Sequence, residues 1–303
     1  MLSTPILFLI YNRPEMTFKV FNAIRLARPK YLFIAADGPK HNKADDELLC
    51  KQSRSILNLV DWDCEVKTLF RKQNLGCGIA VSEAITWFFS FVENGIILED
   101  DCLPDPTFFT FCQQLLEKYK DCPQISTISA NNYQLKYKHK ASYYFSIYSH
   151  IWGWATWRRT WDLYRYEIND YNKSILMKHI KNKEEILYWD NIYKNIDKFK
   201  QINTWDYQLQ YMNFKHNMMS IVPSVNLVRN LGFFEGTHLI SDIPSYHYKI
   251  RYGSIHEIIY ENNIAIDTKA DEFFFNNMLS TNTNIFQRAK GILRRVVSKL
   301  KKS

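Results

Sequence analysis

The sequence predicts an α/β protein with a doubly wound, mainly parallel sheet flanked by helices. Through residue 130, short apolar runs alternate with amphipathic stretches of helical spacing. Several of the apolar runs end directly in acidic or asparagine residues. Because open α/β sheets bind ligands at the carboxyl ends of their strands, the sequence predicts a binding site at that edge.

The first strand, residues 5–10, is a continuous apolar run, and a helix is expected to begin near Pro14. Phe18, Phe21 and Ile24 are expected on the inward face of this helix. The later strands of the first part are similar apolar runs, with helices and a polar loop at 41–46 between them. The strands are 31–36, 65–70, 95–98 and 125–129, and the helices are 47–59, 79–91 and 108–119.

Three consecutive acids follow the strand at 95–98, namely Glu99, Asp100 and Asp101. Three carboxylates in a partly dry crevice would repel one another strongly, so the arrangement favours a neutralising cation. Hard oxygen ligands suit Mg²⁺ or Mn²⁺, which commonly grip a substrate diphosphate as well. The alternative is a solvated acidic turn before Pro104.

Two loops at the same edge favour an anionic or polar ligand. The first, Tyr11 to Arg13, offers an asparagine and an arginine after a strand, although a helix cap and a surface arginine explain them equally well. The second contains Asn74 and Gly76 and precedes a helix, whose amino end attracts negative charge. It lacks the third glycine of the dinucleotide fingerprint, and no GxxxxGK[ST] loop occurs, which disfavours the usual NAD and ATP folds.

Composition limits the class of protein. The chain has 303 residues, 46% hydrophobic and 16% aromatic, and its six cysteines form no CxxC pair, so neither a zinc site nor a disulfide framework is indicated. Of the net charge of +8, the segment 288–303 carries seven bases and no acid, so the body is nearly neutral. This distribution argues against nucleic-acid binding. Without a signal peptide or an apolar run of membrane-spanning length, the protein is expected in the cytosol.

Beyond residue 130 the pattern changes to aromatic segments. Residues 143–148 are expected to be extended, and Trp152, Trp154 and Trp157 lie within six residues of one another. Such rings either stack on acceptor sugars or form a satellite core, and the core is favoured for Trp157. Gly153 between two tryptophans indicates a close backbone approach.

The order of several motifs resembles the GT-A nucleotide-sugar glycosyltransferases, in particular the bacterial branch similar to N-acetylglucosaminyltransferase I. The resemblance covers roughly residues 5–240. It implies a GT-A domain at 1–283, with a nucleotide-sugar-binding half at 1–130 and an acceptor-binding half at 131–283. It also implies a metal-dependent, inverting enzyme that uses a UDP-sugar. The motifs are 8–14 (FLIYNRP), 36–39 (ADGP), 74–76 (NLG), 98–101 (LEDD), 152–157 (WGWATW), 205–206 (WD) and 230–232 (NLG).

The resemblance assigns a role to each acid of the first half. Asp101 would bind Mn²⁺ or Mg²⁺, which in turn holds the diphosphate. Asp100 would face the ribose or a metal-bound water, and Glu99 would face the transferred sugar. Asp37 would accept a hydrogen bond from the uracil ring.

The remaining donor contacts implied by the resemblance come from the two loops. Tyr11, Asn12 and Arg13 fall in the first nucleotide loop. Asn74 and Gly76 fall in the second loop. A guanidinium such as that of Arg13 is a natural partner of phosphate.

The resemblance places the general base, which must take the proton of the acceptor hydroxyl, at Asp206. The alternative is that Asp206 only stabilises the first turn of its helix, and Asp162 and Asp190 are rivals. Trp152 and Trp154 are candidate acceptor contacts. His238, at the end of a glycine-punctuated segment at 229–238 that resembles a lid, is a candidate second metal contact.

The tail at 284–303 is expected to form a basic amphipathic helix. It would bind an anionic membrane surface, where lipid-linked glycan acceptors are found, and so make the protein peripheral on the inner face of the cell membrane. The alternative is that it packs on the main domain. Two other classes of protein remain open: a sugar-nucleotide pyrophosphorylase and a non-catalytic sugar-nucleotide-binding protein.

Overall fold

The computed structural model describes residues 1–135, 140–197, 204–232 and 250–280. The strands are β1 (Ile6–Ile10), β2 (Tyr31–Ala36), β3 (Glu65–Phe70), β4 (Asn94–Glu99), β5 (Cys102–Pro104), β6 (Ile125–Ser129), β7 (Tyr143–Ser146), β8 (Trp154–Trp157), β9 (Met219–Pro223) and β10 (Val228–Asn230). The α-helices are α1 (Pro14–Ala27), α2 (Asp46–Arg54), α3 (Cys77–Phe89), α4 (Pro106–Lys118), α5 (Arg158–Trp161), α6 (Ser174–Met177), α7 (Lys183–Lys194), α8 (Asp206–His216) and α9 (Thr268–Phe274). A 3-10 turn (Ser55–Leu59) follows α2, and a π-helical turn (Phe275–Leu279) follows α9. His238 and the tail at 284–303 lie outside the described residues.

The described strands form an eight-stranded sheet in the order β3-β2-β1-β4-β8-β6-β9-β7, and β5 pairs with β10 in a separate ribbon. Strands β3, β2, β1 and β4 are mutually parallel, and β6 pairs in parallel with β9. Strands β8 and β7 run antiparallel to their neighbours. The expectation of a mainly parallel sheet flanked by helices is confirmed, and the carboxyl ends of β1 to β4 meet at one edge.

The two faces of the sheet follow the alternation along β1. Ile6 and Phe8 face a core completed by α1 and α4, whereas Leu7 and Leu9 face a second core completed by α3 and α8. All of these side chains are buried, and a fully buried side chain of this size contributes about 1.5–3 kcal/mol. Covering both faces in this way explains why the central strands are apolar throughout.

Helix α1 differs from expectation at one position. Phe18 is 47% exposed, while Thr17, Val20, Phe21 and Ile24 are buried. The buried positions follow the i, i+3, i+4, i+7 spacing of one helical stripe, and Phe18 lies about 100° away from Thr17 around the helix. The prediction that Phe18 lies on the inward face of α1 is therefore wrong.

A third core, formed mainly by aromatic residues, lies between α7 and α8. Trp189 stacks on Tyr193 with ring centroids 5.7 Å apart and meets Phe214 edge to face. Helix α9 is tied to the end of β7 by Asp271, which accepts hydrogen bonds from Ser146 Oγ (2.5 Å) and the Ile147 amide (3.1 Å). No helix in the described part of the chain has the length and apolarity needed to cross a bilayer.

Asp271 gives a prediction about pH and stability. Burial raises the pKa of its carboxyl to about 7, against the opposing effect of its two hydrogen bonds. Because this value exceeds the ordinary aspartate pKa in the unfolded chain, the native state holds more protons between these values, and stability falls as pH rises through that range. We expect Asp271→Asn to lose part of this decline. Urea unfolding of both proteins at pH 5, 6, 7 and 8 measures the slopes, and equal slopes would contradict the assignment.

Candidate functional site

The consecutive acids lie where β4 turns into β5, beside the loop that follows β1. The Tyr11 amide donates to Asp100 Oδ2 at 3.1 Å. Arg13 Nη1 donates to Asp101 Oδ2 at 2.7 Å and lies 3.4 Å from Asp100 Oδ1. Because β1 and β4 are parallel neighbours, with Leu9 opposite Glu99, the two loops leave the sheet side by side. The structure thus brings Tyr11, Arg13 and the acids together.

The protonation of the acids reflects this crowding. Burial raises the pKa of the Asp100 carboxyl to about 7, and the positive charge of Arg13 acts in the opposite direction. Glu99 keeps some exposed surface, yet the surrounding protein desolvates its carboxyl and raises its pKa to about 8. The charges of Asp101 and Asp100 push the pKa of Glu99 the same way. The site therefore carries less negative charge near neutral pH than its sequence indicates.

The donor set fits a hard divalent cation only in part. Arg13 places a positive group between carboxylate oxygens of Asp100 and Asp101, so this position accepts a cation. Within the described ranges, however, no cluster of three acidic, histidine or cysteine side chains is arranged to enclose a metal. A Mn²⁺ or Mg²⁺ held here by Asp101 would take most of its ligands from a bound diphosphate and water.

Asp46, which the sequence predicts in a polar loop, connects the first loop to the rest of the site. This buried carboxylate, the first residue of α2, accepts hydrogen bonds from the Tyr11 hydroxyl, from Asn12 Nδ2 and from the Lys40 amide. Burial alone would raise the pKa of Asp46, but these hydrogen bonds outweigh it and lower that pKa. The only signal in the sequence was an acid at the start of a helix, which is common.

Asp37 holds the second loop in place. Its Oδ1 accepts from the amides of Gly38 (2.8 Å) and Leu75 (3.0 Å), and its Oδ2 accepts from Asn74 Nδ2 (3.0 Å) and the Gly76 amide (3.1 Å). Gly76 has a φ of 80°, which favours glycine at this turn. Asp37 thus builds the loop, and its contact with uracil stays a prediction. An open cavity of about 450 Å³ adjoins this loop, lined by Pro39, Lys40, His41, Asn42, Gln73 and Asn74.

Asp206 is the first residue of α8. Its negative charge contributes to raising the pKa of Glu99 and of the Cys77 thiol, so it lies near both. Thr204 Oγ1 donates to Asp206 Oδ1 at 2.7 Å. A negative charge at the start of a helix stabilises the helix, and Asp206 supplies that charge here. The hydrogen bond from Thr204 goes to Oδ1 of Asp206 and not to Oδ2.

The two rivals of Asp206 are placed differently. Asp190 is buried and accepts from the Tyr171 hydroxyl and Lys194 Nζ, both at 2.8 Å, so its charge is already compensated within α7 and its surroundings. Asp162 is exposed at the end of α5. The charge of Asp206, unlike theirs, is among the main causes of the raised pKa of Glu99.

The tryptophans divide into core and edge residues. Trp154 is 1% exposed and stacks on Trp205 with centroids 5.8 Å apart, which leaves no ring face for a sugar. The expected acceptor contact of Trp154 is therefore corrected to a packing role. Trp157 is also buried, with its indole Nε1 bonded to the Leu116 carbonyl. Trp152 is half-buried beside Tyr133, and its acceptor role stays a prediction.

The residues that follow β10 pack directly on Asp101. The Leu231 amide donates to the Asp101 carbonyl at 2.7 Å. A Cβ on Gly232 would lie 2.6 Å from Asp101 Oδ2, so only glycine fits beside this carboxylate without displacing it. Gly153 has a φ of 70°, and a Cβ there would lie 2.7 Å from Val228 Cγ2, which confirms the expected close approach. The segment that leads toward His238 thus starts at the site.

The connection made by Asp46 predicts a stability effect. Asp46→Asn removes the charge that receives the Tyr11 and Lys40 donors and turns one oxygen into a donor. We expect the free energy of unfolding to fall by about 1.5–3 kcal/mol, the usual range for buried hydrogen bonds to a charged group. Urea denaturation measures it, with Asp45→Asn as the control, since Asp45 is exposed and makes no capping hydrogen bond. Equal effects of both substitutions would contradict the role of Asp46.

Comparison with known proteins gives weak structural likenesses. No protein-family model matches the sequence, and no curated protein matches it. A structure of UDP-glucose pyrophosphorylase complexed with UDP-glucose is similar at 15% identity, covering 49% of this chain and 63% of that chain, with a TM-score of 0.29. The chain therefore spans just under two thirds of that structure.

Two further solved structures show the same level of likeness. An apo UDP-glucose pyrophosphorylase is similar at 11% identity, covering 75% of this chain and 93% of that chain, with a TM-score of 0.37. HddC from Yersinia pseudotuberculosis is similar at 8% identity, covering 54% and 82%, with a TM-score of 0.33. At TM-scores below 0.5 these likenesses carry no argument about this chain.

Proposed function

We propose that the carboxyl edge of the sheet binds a nucleoside diphosphate sugar together with a divalent cation, and that the protein transfers the sugar to an acceptor hydroxyl. The observation that carries the proposal is the contact of Arg13 with the Asp100 and Asp101 carboxylates at this edge, and the effect of the Asp206 charge on the neighbouring Glu99 supports it. These groups supply a phosphate-binding cation, hard oxygen ligands and a candidate base. The sugar is proposed to be N-acetylglucosamine by the resemblance alone.

In this proposal the first half of the chain holds the donor. Asp101, with Asp100 beside it, would hold Mn²⁺ or Mg²⁺, which supplies positive charge for the leaving diphosphate. Arg13 would pair with a phosphate oxygen. Asn12 and Tyr11 are held by Asp46, so the loop that would face the nucleotide is already ordered. The loop at 74–76 and the adjoining cavity would take the base and ribose.

The second half provides the acceptor side. Asp206 would take the proton of the attacking hydroxyl, with its Oδ1 fixed by Thr204. Glu99, whose pKa responds to the charges of Asp206, Asp100 and Asp101, would contact the transferred sugar. Near neutral pH the raised pKa of Glu99 lets its carboxyl donate a hydrogen bond to a sugar hydroxyl.

A second candidate is nucleotidyl transfer, the activity class of the pyrophosphorylases named above. It is favoured by the position of Arg13 in the loop after β1, where its guanidinium contacts Asp101, the proposed metal ligand. The two reactions differ in the bond that breaks. Glycosyl transfer breaks the bond between the anomeric carbon and the diphosphate and releases the nucleoside diphosphate. Pyrophosphorolysis breaks the phosphoanhydride bond of the diphosphate: pyrophosphate attacks, and a nucleoside triphosphate and a sugar 1-phosphate are released. Product analysis with and without pyrophosphate separates them.

The acceptor and the place of reaction remain proposals. A glycan or lipid-linked acceptor and attachment to an anionic membrane surface rest on the tail at 284–303, outside the described residues. Trp152, two residues before β8, would contact an acceptor sugar; extending the pairing of Ile97 with Trp154 by two residues puts it opposite Glu99.

Removal of the proposed metal ligand gives the first functional prediction. Asp101→Ala should abolish Mn²⁺-dependent binding of UDP, because the diphosphate charge then lacks its bridging cation in a poorly solvated crevice. Isothermal titration with and without Mn²⁺ measures this, with Asp121→Ala as control, since exposed Asp121 lies before β6 at the opposite edge of the sheet. Retention of full metal-dependent binding by folded Asp101→Ala would overturn the assignment.

The proposed base gives the second functional prediction. Asp206→Asn should leave UDP binding nearly unchanged and lower turnover by roughly two to four orders of magnitude, because the amide keeps the contact with Thr204 but cannot take a proton. Single-turnover assays of sugar transfer or donor hydrolysis measure the rate. Asp162→Asn should retain wild-type turnover. Unchanged turnover in Asp206→Asn would return this residue to a purely structural role.

A further inference from the structure

We propose that Arg13 and the divalent cation compete for the same carboxylate oxygens, so that the free protein binds the metal weakly and the metal enters together with a diphosphate. This inference rests on the metal position of the proposed function. The cation and the diphosphate would thus bind together, rather than the cation first.

The competition follows from where Arg13 lies. Its Nη1 is 2.7 Å from Asp101 Oδ2 and 3.4 Å from Asp100 Oδ1, so one guanidinium nitrogen contacts both acids. The other Asp101 oxygen lies 3.4 Å from Cys102 Sγ, inside the turn. A metal ligated by Asp101 Oδ2 at about 2.0–2.2 Å would lie against the guanidinium, and two cations at that separation repel strongly. Because of this repulsion, binding of the metal at Asp101 Oδ2 favours release of Arg13 from this oxygen.

The backbone and side chain of Arg13 are held differently, which permits the exchange. Its carbonyl accepts hydrogen bonds from the Thr17 amide (2.9 Å) and Thr17 Oγ1 (2.8 Å), so the main chain is fixed at the start of α1. The side chain is 32% exposed, and it donates hydrogen bonds to both acids. A long, partly solvated side chain on a fixed backbone can change partner without local unfolding.

A diphosphate provides the alternative partner. Its oxygens offer a guanidinium the same charge-assisted contact that Asp100 and Asp101 provide, while the metal takes over the carboxylates. With the diphosphate present, the metal gains additional oxygen ligands and Arg13 loses nothing. Without it, displacing Arg13 leaves the guanidinium unpaired, so metal binding to the free protein carries that cost.

The test measures Mn²⁺ binding in the absence of nucleotide, by titration calorimetry and by the electron paramagnetic resonance signal of free Mn²⁺. Arg13→Gln should bind Mn²⁺ about tenfold or more tightly than the wild type, because the neutral amide leaves the Asp101 oxygen open. Mn²⁺ should also raise the melting temperature of this variant more than that of the wild type. Arg25→Gln is the control, since Arg25 pairs with Asp61 on the surface.

The inference would be overturned if Arg13→Gln bound Mn²⁺ with the wild-type affinity, or if no variant bound Mn²⁺ at all. If Arg13→Gln does not fold, Arg13→Lys replaces it, because a lysine keeps the charge but reaches less far, and it should bind Mn²⁺ more tightly than the wild type. Adding Asp101→Ala to the variant should remove the gain. No nucleotide is present, so a failure of sugar transfer leaves this result intact, and a failure here leaves metal-dependent UDP binding to be judged separately.

Discussion

The crowding of three carboxylates at one corner of the sheet is the constraint on which the site depends. Glu99, Asp100 and Asp101 cannot all carry full charge beside one another without compensation. In the described structure protonation removes part of this negative charge, since the pKa values of Glu99 and Asp100 are raised to about 8 and about 7. The other part is Arg13, whose side chain contacts two of the three acids. Protonation and Arg13 together thus relieve the repulsion in the free protein.

The sheet determines which groups share that corner. Parallel pairing of β1 with β4 puts the loop of Tyr11 and Arg13 beside the acids, and parallel pairing of β1 with β2 puts Asp37 next along the edge. Each loop is then fixed by a carboxylate of the chain itself, Asp46 for the first and Asp37 for the second. Two acids therefore act in building the loops, and the acids after β4 are left facing the crevice.

Local pattern predicted the strands well and the contacts less well. The bounds of β2, β3 and β6 match the expected ones, because each is a short run bounded by clear turn residues. Asp46 was missed because its partner Asn12 lies 34 residues away, and no local pattern reports such a pairing. The burial of Trp154 likewise depends on Trp205, which lies directly before α8 and far from Trp154 in the sequence.

The same distinction separates the two kinds of functional residue. The acids after β4 were identifiable because their chemistry, three like charges after a buried strand, is unusual without a ligand. Asp206 is indicated only by the family resemblance, since an acid at a helix start stabilises the helix whether or not it has another role. Its charge reaches Glu99 only because α8 packs beneath the same face as α3, through Leu209 and Met212. The position of Asp206 is thus set by tertiary packing, whereas the positions of the acids and of the loop after β1 are set by strand order, and only strand order can be read from the sequence.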